Sequence, residues 1–228
     1  MTSAKTSERD ELIAEAPRNC PRCPRLVLFR DVNREAEPTW YNGAVPSFGS
    51  EAARLLIVGL APGLRGANRT GRPFTGDYAG NLLYSTLIEF GFAQGRFEAR
   101  PDDGLRLIDC MITNAVRCVP PQNKPLPVEI AACRGFLIAR MRALPQLSVL
   151  VVLGRVAHEQ TLAALDLRKS LFPFAHGKRH ELRPGLTMFD SLHCSRLNTN
   201  TGRLTTAMFH DVFRGVRLLL GPPGVLPT

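Results

Sequence analysis

Short apolar runs alternate along the chain with longer segments in which apolar residues recur every three or four positions. Four short runs, at 55–58, 107–116, 148–154 and 186–192, predict buried strands. Their apolar residues are nearly continuous rather than alternating, which is typical of strands covered on both faces of a parallel sheet. The runs therefore predict a central, mostly parallel, four-stranded sheet.

The periodic segments predict helices at 6–17, 79–92, 127–141, 155–165 and 201–220. Pro127 and Glu129 suit the first turn of the third helix, and Thr201 is a candidate N-cap for the last. Residues 31–50 show no clear periodicity and are predicted to be loop. Helices that alternate with parallel strands cover both faces of the sheet. We expect one three-layer α/β/α domain across residues 1–228.

A long glycine-rich loop, from Gly59 to Asp77, connects the first strand to the second helix. Loops of this length in compact domains usually have a function, and glycine lets backbone N–H groups come close to a ligand. The spacing matches neither the dinucleotide-binding GxGxxG pattern nor the P-loop. We expect a ligand-binding loop at the carboxyl edge of the sheet, with a sugar or backbone phosphate favoured. The alternative is a tight strand-to-helix connection that needs glycine only for its turns.

The charge balance favours a polyanionic partner. The chain has 29 Lys and Arg against 20 Asp and Glu, a formal net charge of +9. Nucleic acid is the natural candidate, although basic proteins without such a partner exist. No apolar run approaches the roughly 20 residues that cross a bilayer, and the first residues are too polar for a signal peptide. We therefore expect a cytoplasmic protein without a membrane segment.

Four of the six cysteines are candidate metal ligands, since a cytosolic chain is not expected to use them as disulfides. They follow the N-terminal helical segment (1–18) and lie in segments 19–24 and 118–133: Cys20, Cys23, Cys118 and Cys133. Four thiolates suit Zn²⁺ or a [4Fe–4S] cluster, and spacing alone does not separate the two. The alternative is that they are small buried side chains, as we expect for Cys110 and Cys194.

Two glycine-loop segments, 59–63 (GLAPG) and 68–77 (NRTGRPFTGD), resemble the first motif of the family 5, UDGb-type, uracil-DNA glycosylases. Residues 193–205 (HCSRLNTNTGRLT) are similar to the second motif of that family. The cysteine pattern resembles the one by which family 4 and 5 enzymes hold a [4Fe–4S] cluster. The resemblance spans roughly residues 18–220. It implies hydrolysis of the N-glycosidic bond to a deaminated base in DNA, usually uracil, with hypoxanthine and xanthine as further candidate substrates.

The resemblance also implies roles for particular side chains. Phe74 would stack on a base flipped out of the helix, and His193 would donate a hydrogen bond to the base carbonyl as charge develops there. Asp77 would orient or deprotonate the attacking water; its alternative role is an N-cap of the following helix. Asn123 matches a position implicated in catalysis and base contact, and Asn114 is the rival amide for contacting the base edge.

Other members of the two motifs are assigned to the base pocket and to DNA. The base pocket includes Gly59, Ala61 and Gly63, where apolar residues replace the polar side chain that other uracil-DNA glycosylases carry. Predicted DNA contacts are Arg65, Arg69, Arg72, Lys124, Ser195, Arg196, Leu197 and Asn198. Residues 196–198 would form a loop that enters the minor groove and fills the gap left by the base.

Two other classes of protein share part of this pattern. A non-catalytic iron–sulfur or zinc nucleic-acid-binding protein would use the charge and the cysteines, but would not need Phe74, Asp77 and His193 together. A nucleoside hydrolase acting on free nucleosides would not need the positive charge. We expect a monomeric enzyme that acts on deaminated bases in DNA, in association with the nucleoid.

Overall fold

The computed structural model describes residues 14–222. The predicted helix at 6–17 lies outside this range except for residues 14–17, which are not helical. The helices are α1 (Pro24–Ala36), α2 (Ala67–Thr70), α3 (Tyr78–Glu89), α4 (Pro127–Arg142), α5 (Arg155–Ala164), α6 (Arg196–Asn200) and α7 (Thr206–Leu220). The strands are β1 (Phe48–Gly49), β2 (Leu55–Gly59), β3 (Ala93–Gln94), β4 (Arg106–Leu107), β5 (Cys110–Asn114), β6 (Val149–Leu153), β7 (Arg179–Arg183) and β8 (Leu186–Ser191).

The main sheet has six strands in the order β1-β5-β2-β6-β8-β7. Its four central strands are parallel and correspond to the four predicted runs. The prediction of four strands is wrong because both edges carry an additional antiparallel strand. β1 has only two residues, and β7 alternates exposed charged residues with buried ones, so neither is a continuous apolar run. Short or charged strands are typical of sheet edges.

Alternate residues of the central strands face opposite layers of helices. Leu55 and Ile57 of β2 pack in a core with α3 and α7, including Leu83 and Phe213. Leu56 and Val58 pack in a second core with α4 and α5. The three-layer α/β/α arrangement is therefore confirmed. None of the helices within 14–222 has the length and apolar character that a bilayer-spanning segment requires.

The connections place a crevice beside the carboxyl end of β2. The connection through α3 leads from β2 to β5 on one side, whereas α4 leads back past β2 to β6 on the other. Ligands of open α/β sheets bind where the direction of winding reverses in this way. The glycine-rich loop begins at this end of β2, and His193 follows the carboxyl end of β8.

Two helix predictions need correction. Helix α1 occupies part of the segment 31–50 that was predicted to be loop. Only Leu26 and Arg30 of this helix are buried, so its apolar stripe is too weak to see in the sequence. The last predicted helix, 201–220, begins later than expected: residues 201–205 are not helical, and α7 is capped by Thr205 rather than Thr201, with the Thr205 Oγ1 accepting the Met208 N–H at 3.2 Å. Residues 196–198, predicted to be a loop, belong to the short helix α6.

Candidate active site

A cavity of about 760 Å³ opens at the carboxyl edge of the sheet. Its walls come from the glycine-rich loop, the start of α3, the end of β5 and the segment after β8. Predicted site residues in the lining are Ala61, Gly63, Arg65, Phe74, Asp77, Asn114, Asn123, His193, Ser195 and Arg196. The structure thus brings Phe74, Asp77 and His193 together around one space, although they are up to 119 positions apart in the chain.

Phe74 has a strained backbone and a nearly buried ring. Its φ of 52° lies in the left-handed region, which is uncommon for a bulky residue and costs on the order of 1–3 kcal/mol. The ring lies 5.9 Å from the His193 ring at an interplanar angle of 29°. Gly80 makes this conformation possible, since a Cβ there would come 1.9 Å from the Phe74 carbonyl oxygen. Strain of this size at a cavity wall indicates a functional constraint.

Gly59 and Asn114 end neighbouring strands and lie side by side. Gly59 is not in the cavity lining, so the prediction that it contacts the base is not supported. A Cβ at Gly59 would lie 2.4 Å from the Asn114 Oδ1 and 2.7 Å from the Phe74 Cζ. Only glycine at this position therefore leaves room for those two side chains. Asn114 is buried, and its Oδ1 has no hydrogen-bond partner within residues 14–222. An unpaired buried oxygen lowers the stability of the folded protein by about 1–3 kcal/mol, so a ligand that donates a hydrogen bond to this atom would be favoured.

Asp77 uses its two carboxylate oxygens differently. Oδ1 accepts the Gly80 N–H at 3.3 Å and caps α3. Oδ2 lies over the glycine-rich loop, where a Cβ at Gly66 would approach it to 2.4 Å and one at Gly63 to 3.1 Å. Burial raises the pKa of Asp77, and the backbone N–H groups of Gly80 and Ala79 oppose that rise. Both roles considered for Asp77, helix cap and reactive carboxylate, are therefore compatible.

His193 is placed to act as a neutral hydrogen-bond donor. Burial lowers its pKa to about 4, so the imidazole is uncharged at neutral pH and carries one N–H. Neither ring nitrogen has a protein partner among the described residues. The backbone is fixed instead: the Asn198 Nδ2 donates to the His193 carbonyl oxygen at 2.8 Å. Asn198 thus supports His193 from outside the cavity lining.

Asn123 reaches the cavity from a short exposed turn between β5 and α4. It follows Gln122, and both residues have positive φ, 57° and 56°. Its side chain has no hydrogen bond to the protein within the described residues. The conformation of the turn therefore sets where the Asn123 side chain begins, and no hydrogen bond from the described residues fixes its amide.

The predicted DNA contacts differ in where they lie. Arg65 and Arg196 line the cavity mouth, where the Arg196 guanidinium lies 5.2 Å from the Tyr78 ring centre. Arg69 and Lys124 are exposed but lie outside the lining. Ser195 caps α6, and Leu197 beside it is 68% exposed. The exposed members of this set are therefore accessible to a ligand.

Arg72 does not fit its predicted role as a phosphate contact. It is buried, and its Nη1 and Nη2 donate to the two carboxylate oxygens of Asp103 at 2.8 and 2.7 Å. The guanidinium also lies against the rings of Phe48, Tyr84 and Phe97. A bidentate pair enclosed by aromatic rings is a structural element of the loop rather than a free cation.

The four candidate cysteine ligands line a second, small cavity. The Arg117 N–H donates to the Cys133 Sγ at 3.3 Å, and the Arg30 Nη1 lies 3.8 Å from the Cys118 Sγ. Burial, and then the neighbouring thiols, raise the pKa of Cys118 to about 12; burial also raises that of Cys133 to about 11. Thiolates gathered in this way need a cation to offset their charge, and the N–H donors suit metal-bound sulfur. The residues fit a metal centre with four thiolate ligands.

Four cysteine thiolates suit either zinc or a [4Fe–4S] cluster. Within residues 14–222, a separate group of candidate ligands is formed by His158, His180 and Asp190, whose ligand atoms lie within 4.8 Å of one another. Cys110 and Cys194 are buried elsewhere, as expected.

The His158, His180 and Asp190 group is a closed hydrogen-bond network. The Asp190 Oδ1 lies 2.7 Å from the His158 Nδ1, and its Oδ2 lies 2.9 Å from the His180 Nε2 and accepts the Ala175 N–H. The His158 Nε2 contacts the Phe172 carbonyl oxygen at 2.8 Å. These contacts have hydrogen-bond lengths and leave no room for an ion between the atoms.

Several residues of the site were not predicted. Tyr78 lines the cavity directly after Asp77, and its contact with Arg196 joins the two motif segments. An aromatic residue next to a candidate catalytic carboxylate is a signal that the sequence contained. The wall formed by Leu60, Pro62 and Leu64 had no such signal, because apolar loop residues have many other uses.

Known proteins resemble this chain over most of its length. A Type-5 uracil-DNA glycosylase from Thermus thermophilus is 47% identical over 208 residues, which are 89% of this chain and 94% of that protein. A protein of the same name from Mycobacterium tuberculosis is 40% identical over 211 residues, 89% of this chain and 78% of that protein. A Type-4 uracil-DNA glycosylase from Archaeoglobus fulgidus is 34% identical over 139 residues, 60% of this chain and 62% of that protein.

A family model agrees with these likenesses and with the two motifs in the sequence. The model of the uracil DNA glycosylase superfamily matches residues 46–217, from β1 to α7. The match includes the glycine-rich loop, Asn114, Asn123 and His193, and thus every wall of the cavity. The chain belongs to the uracil DNA glycosylase superfamily, and the Type-5 enzymes named above are similar to it over most of its length.

Proposed function

We propose that this protein removes uracil from DNA by hydrolysing the N-glycosidic bond, and leaves an abasic site. The observation that carries the proposal is the single cavity shared by Phe74, Asp77, Asn114 and His193, in a chain of this superfamily. A stacked base cannot reach such a cavity, so the nucleotide must first be flipped out at a cost of a few kcal/mol.

Phe74 and Asn114 bind the flipped base. Stacking on the nearly buried Phe74 ring replaces part of the stacking lost in the helix, and is worth about 1–3 kcal/mol per base. The unpaired Oδ1 of Asn114 accepts an N–H from the edge of the base. The cavity of about 760 Å³ is large enough for a purine, so we include hypoxanthine and xanthine as substrates.

His193 stabilises the departing base. Bond cleavage leaves negative charge on the base, and a donor placed in advance at its carbonyl oxygen lowers the barrier. A neutral imidazole with a low pKa supplies that hydrogen bond without transferring its proton. The free ring nitrogens and the Asn198 contact to the backbone suit this role.

Asp77 and Asn123 act on the sugar side. The Asp77 Oδ2 faces the cavity while Oδ1 is held by the helix, so the carboxylate can orient or deprotonate water. Its negative charge also offsets the positive charge that develops on deoxyribose. Asn123, which lines the same cavity, contacts the base or the water.

The surrounding basic surface binds the DNA strand. Arg65, Arg69, Lys124 and Arg196 are exposed at or near the mouth and contact phosphates. The exposed Leu197 enters the helix where the base has left. The protein works as a monomer on DNA in the cytoplasm.

We further propose that Cys20, Cys23, Cys118 and Cys133 hold a [4Fe–4S] cluster. Bound by these residues, the cluster would crosslink the N-terminal segment to the segment 118–133. Its cavity is separate from the active-site cavity, and the side chains assigned to hydrolysis line only the latter. Visible absorbance near 400 nm (an expectation for iron–sulfur chromophores), with about four irons and no stoichiometric zinc, tests this assignment.

Incubation with oligonucleotides that contain one uracil, in single and double strands, tests the enzyme assignment. Alkali then cleaves the strand at any abasic site. We expect cleavage of the uracil strand and none of a matched thymine strand. Binding of both DNAs without cleavage would instead identify a non-catalytic DNA-binding protein.

A further inference from the structure

The segment between β5 and α4 holds Asn123 in a conformation that its own residues do not favour. Gln122 and Asn123 are consecutive non-glycine residues in the left-handed region. Local backbone contacts are few: the Asn123 N–H donates to the Pro120 carbonyl oxygen and the Lys124 N–H to that of Pro121, each at 3.1 Å. Such a conformation persists only where surrounding groups impose it.

Arg25 and Glu129 supply that constraint from outside the segment. The Arg25 Nε and Nη2 donate to the two Glu129 carboxylate oxygens, each at 2.7 Å. The Arg25 Nη2 also donates to the Lys124 carbonyl oxygen at 3.1 Å. The Glu129 Oε2 accepts the Leu126 N–H at 2.7 Å. One bidentate pair therefore holds the backbone on the carboxyl side of Asn123 at two points.

The pair is well placed to set geometry rather than to bind DNA. The Glu129 side chain is 4% exposed, and a carboxylate that buried needs its cation. Arg25 belongs to the first turn of α1, and Glu129 to the first turn of α4, 104 positions later. Neither residue lines the active-site cavity, whereas Asn123 does. The first turns of α1 and α4 thus meet next to the turn that carries Asn123.

We propose that the Arg25–Glu129 pair is a positioning element that holds the Asn123 amide in the active site. The inference rests on the proposed function and adds two residues to it. Arg25 fits because its planar fork binds the carboxylate and still reaches a carbonyl oxygen, which a lysine ammonium cannot reproduce. Loss of the pair lets the turn relax, and small displacements of a reacting group lower rates strongly.

The test compares Arg25→Lys, Arg25→Gln and Glu129→Gln with the control Arg134→Gln. Arg134 lies on α4 too, but donates to Gln160 of α5 at 3.1 and 3.0 Å, away from the turn. Single-turnover uracil excision by the full protein should fall about tenfold in the first three variants, with DNA affinity changed less than about twofold. The control should keep the wild-type rate.

A double-mutant cycle with Asn123→Ala separates positioning from a general loss of stability. In the Asn123→Ala background, Arg25→Gln should change the rate less than about twofold because nothing remains to position. Equal losses in both backgrounds would overturn the proposal, and so would a wild-type rate in all three pair variants. Should Arg25→Gln not fold, the same cycle with Glu129→Gln decides.

Hydrogen exchange gives a readout that does not depend on activity. The Leu126 amide should exchange faster in Glu129→Gln than in Arg134→Gln, since its acceptor is weakened only in the former. Equal protection would contradict a role in holding the turn. An inactive wild-type protein would refute the proposed function itself. If the wild type is active but Arg25→Gln lowers the rate equally with and without Asn123, only this inference is refuted.

Discussion

Two groups of polar side chains involve strand β8, one through a residue within the strand and one through a residue just after it. They differ in whether their hydrogen bonds are complete without a ligand. Asp190, within β8, has both carboxylate oxygens paired with His158, His180 and Ala175. His193, two residues after β8, has a ring without a protein partner among the described residues, and Asn114, which lines the same cavity, has an Oδ1 without one. The first group is complete without a ligand. The second is complete only with one.

The difference shows how a functional group of side chains can be told from a structural one. Both contain histidine and an acidic or amide side chain, and both are at least half-buried. A closed network stabilises the fold, whereas unpaired donors and acceptors raise the free energy of the folded protein until a ligand pairs them. The strained Phe74 backbone belongs to the second, open group as well.

The largest effect is expected from Asp77→Ala and Asp77→Asn. Removal of the reactive carboxylate should slow base release about 10²- to 10⁴-fold, while DNA binding is retained. Asp77→Asn keeps the helix cap, and it also removes a carboxylate whose pKa is raised by burial. A raised pKa means that ionisation opposes folding, so the Asn variant should be at least as stable as wild type at neutral pH.

Single-turnover kinetics and chemical denaturation of both variants check this prediction. Loss of stability together with loss of activity in Asp77→Asn would assign Asp77 to the fold alone. Asp77→Ala serves as the comparison, because it removes the cap as well and should lower the stability.

Asp190→Ala should give the opposite result. It removes the buried carboxylate that pairs with both His158 and His180, which should lower the free energy of unfolding by on the order of 3–5 kcal/mol. The rate of base release per folded molecule should stay near that of wild type. Denaturant unfolding, combined with activity measured well below the transition, distinguishes the two quantities. A specific loss of activity without loss of stability would show that this network is part of the active site.

Phe74→Ala should weaken the complex with a flipped base. Loss of stacking is expected to reduce kcat/KM by about 10- to 100-fold, equivalent to roughly 1–3 kcal/mol. Phe74→Tyr keeps the ring and should retain most of the activity. Steady-state kinetics on a uracil oligonucleotide provide the measurement, and equal activity of the alanine variant and wild type would leave the ring with a packing role only.

A further effect is expected on the pH dependence of stability. The pKa of His193 is about 4 in the folded protein against 6.5 as its ordinary value, so between these values the unfolded chain binds a proton that the folded protein does not. The free energy of unfolding is therefore not reduced by His193 above pH 6.5, and it decreases as the pH falls toward 4. His193→Gln lacks this component, so its unfolding free energy should decrease less between pH 7 and 4.5. Parallel curves for the two proteins would contradict the burial of His193.

The sequence was sufficient for features that depend on short-range pattern. The four parallel strands followed from continuous apolar runs, and α3, α4 and α5 from helical periodicity and their first-turn residues. The motifs indicated Phe74, Asp77 and His193, which the fold places around one cavity.

Features that depend on contacts between distant residues could not be predicted. Arg72 and Lys124 are equivalent as charges in a sequence, and only the fold pairs Arg72 with Asp103 and leaves Lys124 exposed. The Arg25–Glu129 pair joins residues 104 positions apart. Helix α1 was missed because its buried face is so small.

The most direct measurement is chromatographic detection of the free base released from duplex DNA that contains a single uracil. We expect wild-type protein to release one uracil per duplex and none from the thymine control, and Asp77→Asn to bind the same duplex with almost no release. Release of no base by a folded, DNA-binding wild-type protein would contradict the central claim that the open cavity hydrolyses the bond to a flipped uracil.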